Sequence, residues 1–189
     1  MKIGIIKIGN ATSVQNALKK LRIDSIISND ENELTTCIGI ILPGVGAFGN
    51  GMKTIEKLAP FIKKLDKPLL GICLGMQLLF EESEERPGVR GLGLIKGSVK
   101  KFSGVRTPQI GWNKIENTHG ALFEQEGRVY FVNSYYCAPE ELVTTSTANY
   151  GINFTASIQK NNLYGVQFHP EKSGVFGLAI LERFARLCK

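Results

Sequence analysis

The 189-residue sequence predicts an α/β fold: an open, mainly parallel sheet flanked by helices, with additional antiparallel strands in the C-terminal half. Three observations predict it. In the first half, short apolar runs of strand length at residues 2–8, 37–42 and 69–72 alternate with stretches of helical period. The last two runs are apolar throughout rather than at alternate positions, as parallel strands buried on both faces require. After Pro87 the texture changes to closely spaced strand-like pieces punctuated by Gly88, Gly91, Gly93 and Gly97.

Taken in order, residues 2–8 form a first strand that ends at the turn Gly9-Asn10. Residues 13–21 place Val14, Ala17, Leu18 and Leu21 on one helical face, and residues 24–27 return as a second strand. Residues 37–42 read as a central strand, followed by the glycine-rich loop Pro43-Gly44-Val45-Gly46-Ala47-Phe48-Gly49. A helix over about 50–65 buries Met52, Ile55, Leu58, Phe61 and Ile62. The run 69–72 then passes directly into a helical pattern with Leu74, Leu78 and Leu79 inward. Further strands are expected at 98–102, 110–115, 129–133, 143–149, 154–159 and 163–168, continuing the sheet or forming a small adjoining one. A last helix over 175–187 turns Phe176, Ile180, Phe184 and Leu187 inward. No repeat, low-complexity tract or linker interrupts this order, so one domain is expected across residues 1–189.

The charge pattern narrows the function classes. The net charge of +6 is spread along the chain and mixed with acids. No basic block carries interleaved aromatics, so nucleic-acid binding is not expected, although a basic face for an acidic partner stays open. No run of about 18 apolar residues would span a membrane, and the apolar N-terminal stretch is too short for a signal peptide. Four scattered cysteines without a CxxC pair suit a reducing compartment and offer neither a disulfide framework nor a metal site. A cytoplasmic protein without metal or cofactor is therefore expected.

The chemistry-bearing stretch is Gly71-Ile72-Cys73-Leu74-Gly75-Met76-Gln77, where the period switches from strand to helix at Cys73. A sharp strand-to-helix turn strains its central residue and displays that side chain, the device of the nucleophile elbow. The helix N-terminus behind it favours a thiolate. The alternative is a small core cysteine packed between close-approach glycines. A second stretch, Phe168-His169-Pro170-Glu171, ends an apolar run in one of the chain's two histidines, with a carboxylate two residues on. Such a carboxylate orients an imidazole that takes a thiol proton, although the same residues also suit a surface strand end. The loop 43–49 contains GxGxxG, but no Lys-Ser/Thr follows, which disfavours a phosphate cradle. Loop N–H groups forming an oxyanion hole are the better use beside a cysteine nucleophile.

These motifs resemble the catalytic elbow and the His-Pro-Glu motif of class I (triad-type) glutamine amidotransferases. The resemblance is stronger still to the glutaminase subunit of imidazole glycerol phosphate synthase. It is carried by residues 42–49, Gly91-Leu92-Gly93-Leu94-Ile95, Gly111-Trp112-Asn113 after Pro108, and Tyr130-Phe131-Val132-Asn133-Ser134-Tyr135. It implies hydrolysis of glutamine to glutamate and ammonia through a cysteine thioester. It implies Cys73 as nucleophile, His169 as acid/base and Glu171 as its orienter. Gly44, Val45 and Gly46, with the N–H groups of Cys73 and Leu74, would hold the oxyanion. Gln77, Glu85, Ser134 and Tyr135 would hold the substrate, although the run Glu81-Glu82-Ser83-Glu84-Glu85 also reads as a solvated acidic helix end.

The resemblance further implies a (β/α)₈-barrel cyclase partner in histidine biosynthesis that receives ammonia through a protected channel. Asn10 and the Gly111-Trp112-Asn113 segment are the interface positions it suggests. Two departures bear on that partner: Ile5-Ile6-Lys7-Ile8 where some relatives have Asp and Tyr, and Asn133 where a histidine is common. The alternative partner is a sugar-modifying synthase of a surface-polysaccharide pathway.

Overall fold

The computed structural model describes residues 2–189. In chain order its strands are β1 (Ile3–Ile6), β2 (Ser25–Ser28), β3 (Gly39–Leu42), β4 (Leu69–Ile72), β5 (Glu82–Ser83) and β6 (Gly97–Lys101). They continue as β7 (Gln109–Ile115), β8 (Gly127–Asn133), β9 (Tyr135–Pro139), β10 (Thr144–Asn149), β11 (Asn153–Lys160) and β12 (Leu163–Val166). The helices are α1 (Ala11–Lys20), α2 (Glu31–Thr35), α3 (Phe48–Ile55), α4 (Ala59–Lys63), α5 (Leu74–Leu78) and α6 (Gly174–Leu187).

The apolar runs become the centre of one ten-stranded sheet in the order β2-β1-β3-β4-β12-β11-β9-β6-β5, with β10 paired to β11. Strands β2, β1, β3, β4 and β12 run parallel. From β12 onward the pairing turns antiparallel through β11, β9 and β6. β1, β3 and β4 are buried at every position, as strands covered on both faces must be. Both expected destinations of the later strands occur, because β7 and β8 leave the sheet as a separate antiparallel hairpin.

Alternate residues along each central strand feed two cores. Ile3, Ile5, Ile41, Leu70 and Ile72 pack with Val14 and Leu18 of α1 and Ile180, Leu181 and Phe184 of α6. Ile6, Ile40, Leu42 and Leu69 pack on the other face with Phe48 and Ile55 of α3, Ile62 of α4, and Leu74 and Leu78 of α5.

Several elements depart from the expectation. The single helix over 50–65 is divided: α3 stops at Ile55, a 3₁₀ turn spans Glu56–Leu58, and α4 restarts with Pro60 in its first turn. Proline lacks the N–H that an uninterrupted helix would use and clashes with the preceding turn. In α6, Leu187 is exposed, and Leu181 lies in the core. Helix α2 escapes a periodicity reading because it buries only Leu34; its signal is the cap Asp30, whose side chain accepts from Asn32 N and Glu33 N. β9 escapes because it has no alternation and ends in proline, and its pairing with β6 makes it a strand.

Candidate active site

Three adjacent parallel strands, β3, β4 and β12, end on the same edge of the sheet, the edge where α/β domains place ligands. Their carboxyl ends deliver the glycine-rich loop, Cys73 and His169 respectively. Cys73 leaves β4 at φ 53° and ψ −108°, a region that costs a non-glycine residue free energy and persists only where surroundings enforce it. The enforcement is local. Cys73 N donates to Val166 O of β12 at 2.8 Å. A Cβ at Gly75 would lie 1.7 Å from Leu42 O, and one at Gly71 would lie 2.7 Å from Met76 N. The two glycines let the strand end and the helix start approach closer than any side chain permits. α5 closes after five residues, at Leu78, so few aligned peptide dipoles stand behind the sulfur.

His169 is fully buried, as is the Glu171 carboxylate, rather than at a solvated strand end. Glu171 Oε1 accepts from His169 Nδ1 at 2.8 Å and also from Asn10 Nδ2. This chain of contacts directs Nε2 away from the carboxylate. Burial acts to lower the His169 pKa, but the Cys73 sulfur and then Glu171 outweigh it and push it up to about 10. Nε2 nevertheless has no hydrogen bond of good geometry among the described residues. Cys73 thus acts on the imidazole without a hydrogen bond of good geometry between them.

Cys73 forms part of the wall of a cleft of about 340 Å³ together with Val45, Gly46, Leu74, Gln77, Glu85, Asn133 and Ser134. Gly46 sits at φ +101°, which a side chain would strain. A Cβ at Gly44 would meet Leu74 Cβ at 2.9 Å, so the loop lies directly on the elbow. Leu74 N begins α5, where no helical carbonyl precedes it to accept. Cys73 N, by contrast, is committed to Val166 O, which removes it from the oxyanion donors that the resemblance implies.

The remaining residues implied for substrate divide. Gln77, Glu85 and Ser134 are all in the cleft wall, whereas Tyr135 is absent from it. The carbonyl of Tyr135 accepts from Gln77 Nε2 at 3.2 Å. Burial, then Glu85 and Glu84, push its phenol pKa up. The acidic run is no helix end: Glu82–Ser83 forms β5, and the Glu85 carboxylate accepts from Phe48 N at 2.6 Å. Two residues of the site escape sequence reasoning as such. Asn10 reads from the resemblance as an interface position, and Gln167 is hidden in an apolar run, where its polarity is the only signal. Among the described residues no three His, Cys, Asp or Glu side chains converge as a metal site.

Comparison with known proteins follows the same lines. A family model described as Glutamine amidotransferase class-I matches residues 6–187. The chain is 47% identical over 195 residues to the imidazole glycerol phosphate synthase subunit HisH of Methanocaldococcus jannaschii, covering 98% of this chain and 99% of that one. It is 44% identical over 200 residues to the protein of the same name from Geobacillus thermodenitrificans, covering 96% and 94%. In structure it is similar to a crystal structure of a glutamine amidotransferase, with a TM-score of 0.79 at 17% identity over 98% of each chain. It is also similar to a chain of the PurLQS structure from Thermotoga maritima, with a TM-score of 0.72 at 17% identity, covering 100% of this chain and 99% of that one. At those identities the likeness to solved structures concerns the fold alone.

Proposed function

The chain belongs to the class-I glutamine amidotransferase family, and on that premise we propose that it is the glutaminase subunit of imidazole glycerol phosphate synthase. It hydrolyses glutamine to glutamate and ammonia and passes the ammonia to a cyclase partner in histidine biosynthesis. The observation that carries this reading is the placement of Cys73 at φ 53° between a cleft and the buried His169–Glu171 pair. The relatives' shared name favours the cyclase over a sugar-modifying synthase as the ammonia acceptor.

The sulfur of Cys73, its proton passed to His169, attacks the side-chain carboxamide carbon of glutamine. N–H groups of the Gly44-Val45-Gly46 loop and of Leu74 stabilise the tetrahedral oxyanion. With its pKa pushed up to about 10, His169 carries the proton at neutral pH and is set to deliver it to the departing ammonia. Left neutral, His169 then takes a proton from a water whose hydroxide attacks the thioester carbon, expelling the Cys73 sulfur and freeing glutamate, with the proton back on His169. Glu171, steadied by Asn10, holds the imidazole in its donating orientation. Gln77, Glu85 and Ser134 hold the substrate in the cleft, Glu85 offering a carboxylate to its ammonium.

Ammonia released into water would be protonated and lost, so the partner must cover this edge of the sheet. An exposed apolar patch supports that placement. Ile110 and Trp112 on β7 and Val175 at the start of α6 are 64%, 51% and 85% exposed. Trp112 stands edge-on to Tyr130 at 6.1 Å, and the Tyr130 carbonyl accepts from His169 N. The patch is one residue layer from the triad.

Glutaminase activity measured with and without the co-purified cyclase and its nucleotide tests the reading. Cys73→Ala is expected to abolish glutamine hydrolysis while leaving the ammonia-driven cyclase reaction intact. Glutamine hydrolysis retained by Cys73→Ala would overturn the assignment.

A further inference from the structure

We propose that Gln167 is a positioning residue for the nucleophile, its side-chain amide locked so that an N–H donor faces the sulfur of Cys73. This rests on Cys73 being the nucleophile of the reaction above. Gln167 follows β12 by one residue and is fully buried. Its Nε2 lies 3.7 Å from Cys73 Sγ. A side-chain amide has two orientations whose choice is made by its partners. With oxygen toward a sulfur that gains negative charge it would repel. With nitrogen toward it, a donor stabilises that charge.

The contacts behind the amide make the choice. The Tyr135 carbonyl is a pure acceptor, so Gln77 must turn Nε2 toward it, at 3.2 Å. The same Nε2 has a second N–H, which it gives to Gln167 Oε1 at 3.2 Å. Cys137 Sγ approaches that oxygen as well, at 3.9 Å. Burial, then the neighbouring Cys73, raise the Cys137 pKa well above its ordinary value, so this thiol keeps its proton and acts as a donor. Two donors on Oε1 leave the nitrogen of Gln167 for Cys73. A backbone carbonyl of β9 thereby sets the polarity of two side chains in series, and the last link is the reactive sulfur. Cys137, which takes no part in the chemistry, contributes as a fixed donor.

The test is made on the full chain in complex with its partner. Gln167→Met keeps bulk and removes the donor; Gln167→Glu keeps shape and sets an oxygen against the sulfur. The reading is the rate of Cys73 alkylation by iodoacetamide against pH, located by peptide mapping because Cys37, Cys137 and Cys188 are also free. It is paired with kcat and KM for glutamine. Gln167→Met is expected to move the alkylation profile to higher pH by about one unit, the scale of one charge-assisted hydrogen bond. kcat falls about tenfold on the same scale, with KM held within about twofold because Gln167 stands behind the cleft wall. Gln167→Glu moves the profile further. If neither variant folds, Gln167→Asn serves instead: the shorter side chain withdraws the donor from the sulfur without adding charge, and the profile moves the same way. Folded Gln167→Met with the native alkylation profile and native kcat would overturn the proposal. That result together with an inactive Cys73→Ala would leave the glutaminase reading standing, whereas an active Cys73→Ala would remove its foundation.

Discussion

At neutral pH the imidazole of His169 is held charged by what touches it. Burial opposes the charge, and the Cys73 sulfur and Glu171 together overcome it, so that the pKa is pushed up to about 10. A histidine whose folded pKa lies above its unfolded value stabilises the fold fully below about pH 6.5 and loses that contribution as pH rises through about 10. Denaturation midpoints measured across that window should therefore fall with increasing pH. In Glu171→Gln the fall should be smaller and end at lower pH, because one of the two contacts that raise the folded pKa is weakened. Identical midpoint profiles for the two proteins would remove Glu171 from this role. Cys73, His169 and Glu171 are legible in the sequence because each lies in a short segment whose pattern breaks visibly: a period switch between glycines, and a histidine closing an apolar run. Asn10 and Gln167 are not, since a polar residue's partner some 161 or 94 positions away leaves no local trace.

At the scale of elements, the site depends on β4 turning into α5 with no room to spare. Gly75→Ala sets a Cβ against the backbone of Leu42, a neighbour that cannot rotate away. Overpacking of this kind costs on the order of 1–3 kcal/mol, and each kcal/mol lowers the melting temperature of a chain this size by about 2–4 °C. The displaced elbow should also lower kcat about a hundredfold, as misplacement of reacting groups by about an ångström does. Thermal melts and glutaminase assays on the purified variant check both, and a native melt with native kcat would show that the contact yields freely. The elbow and the loop after β3 can be read from sequence since glycine spacing and period are local properties. β9 cannot: its pairing partner β6 lies more than thirty positions upstream, and without that partner the segment has no pattern of its own.

At the scale of the molecule, one edge of the sheet carries the candidate site, and the exposed Ile110 and Trp112 belong to the β7–β8 hairpin whose Tyr130 carbonyl accepts from His169 N, with the exposed Val175 at the start of α6. A tryptophan at the centre of an interface is a frequent binding hot spot. Trp112→Ala should weaken association with the cyclase about thirtyfold, equivalent to ~2 kcal/mol. Titration calorimetry with the purified partner measures this, and an unchanged Kd would place the partner on another face. The sequence by itself determined the parallel α/β class and the positions of the candidate triad and of the glycine loop, because apolar periodicity, glycine placement and short motifs are written within a few residues. Only the tertiary structure decided what those residues do to one another. It brought β3, β4 and β12 side by side, buried His169 and Glu171, took Cys73 N into the ladder, and turned the Gln167 amide toward the sulfur. Those outcomes depend on strand order and on which polar group meets which across the sheet. Contacts of that kind join distant parts of the chain, and no local pattern encodes them.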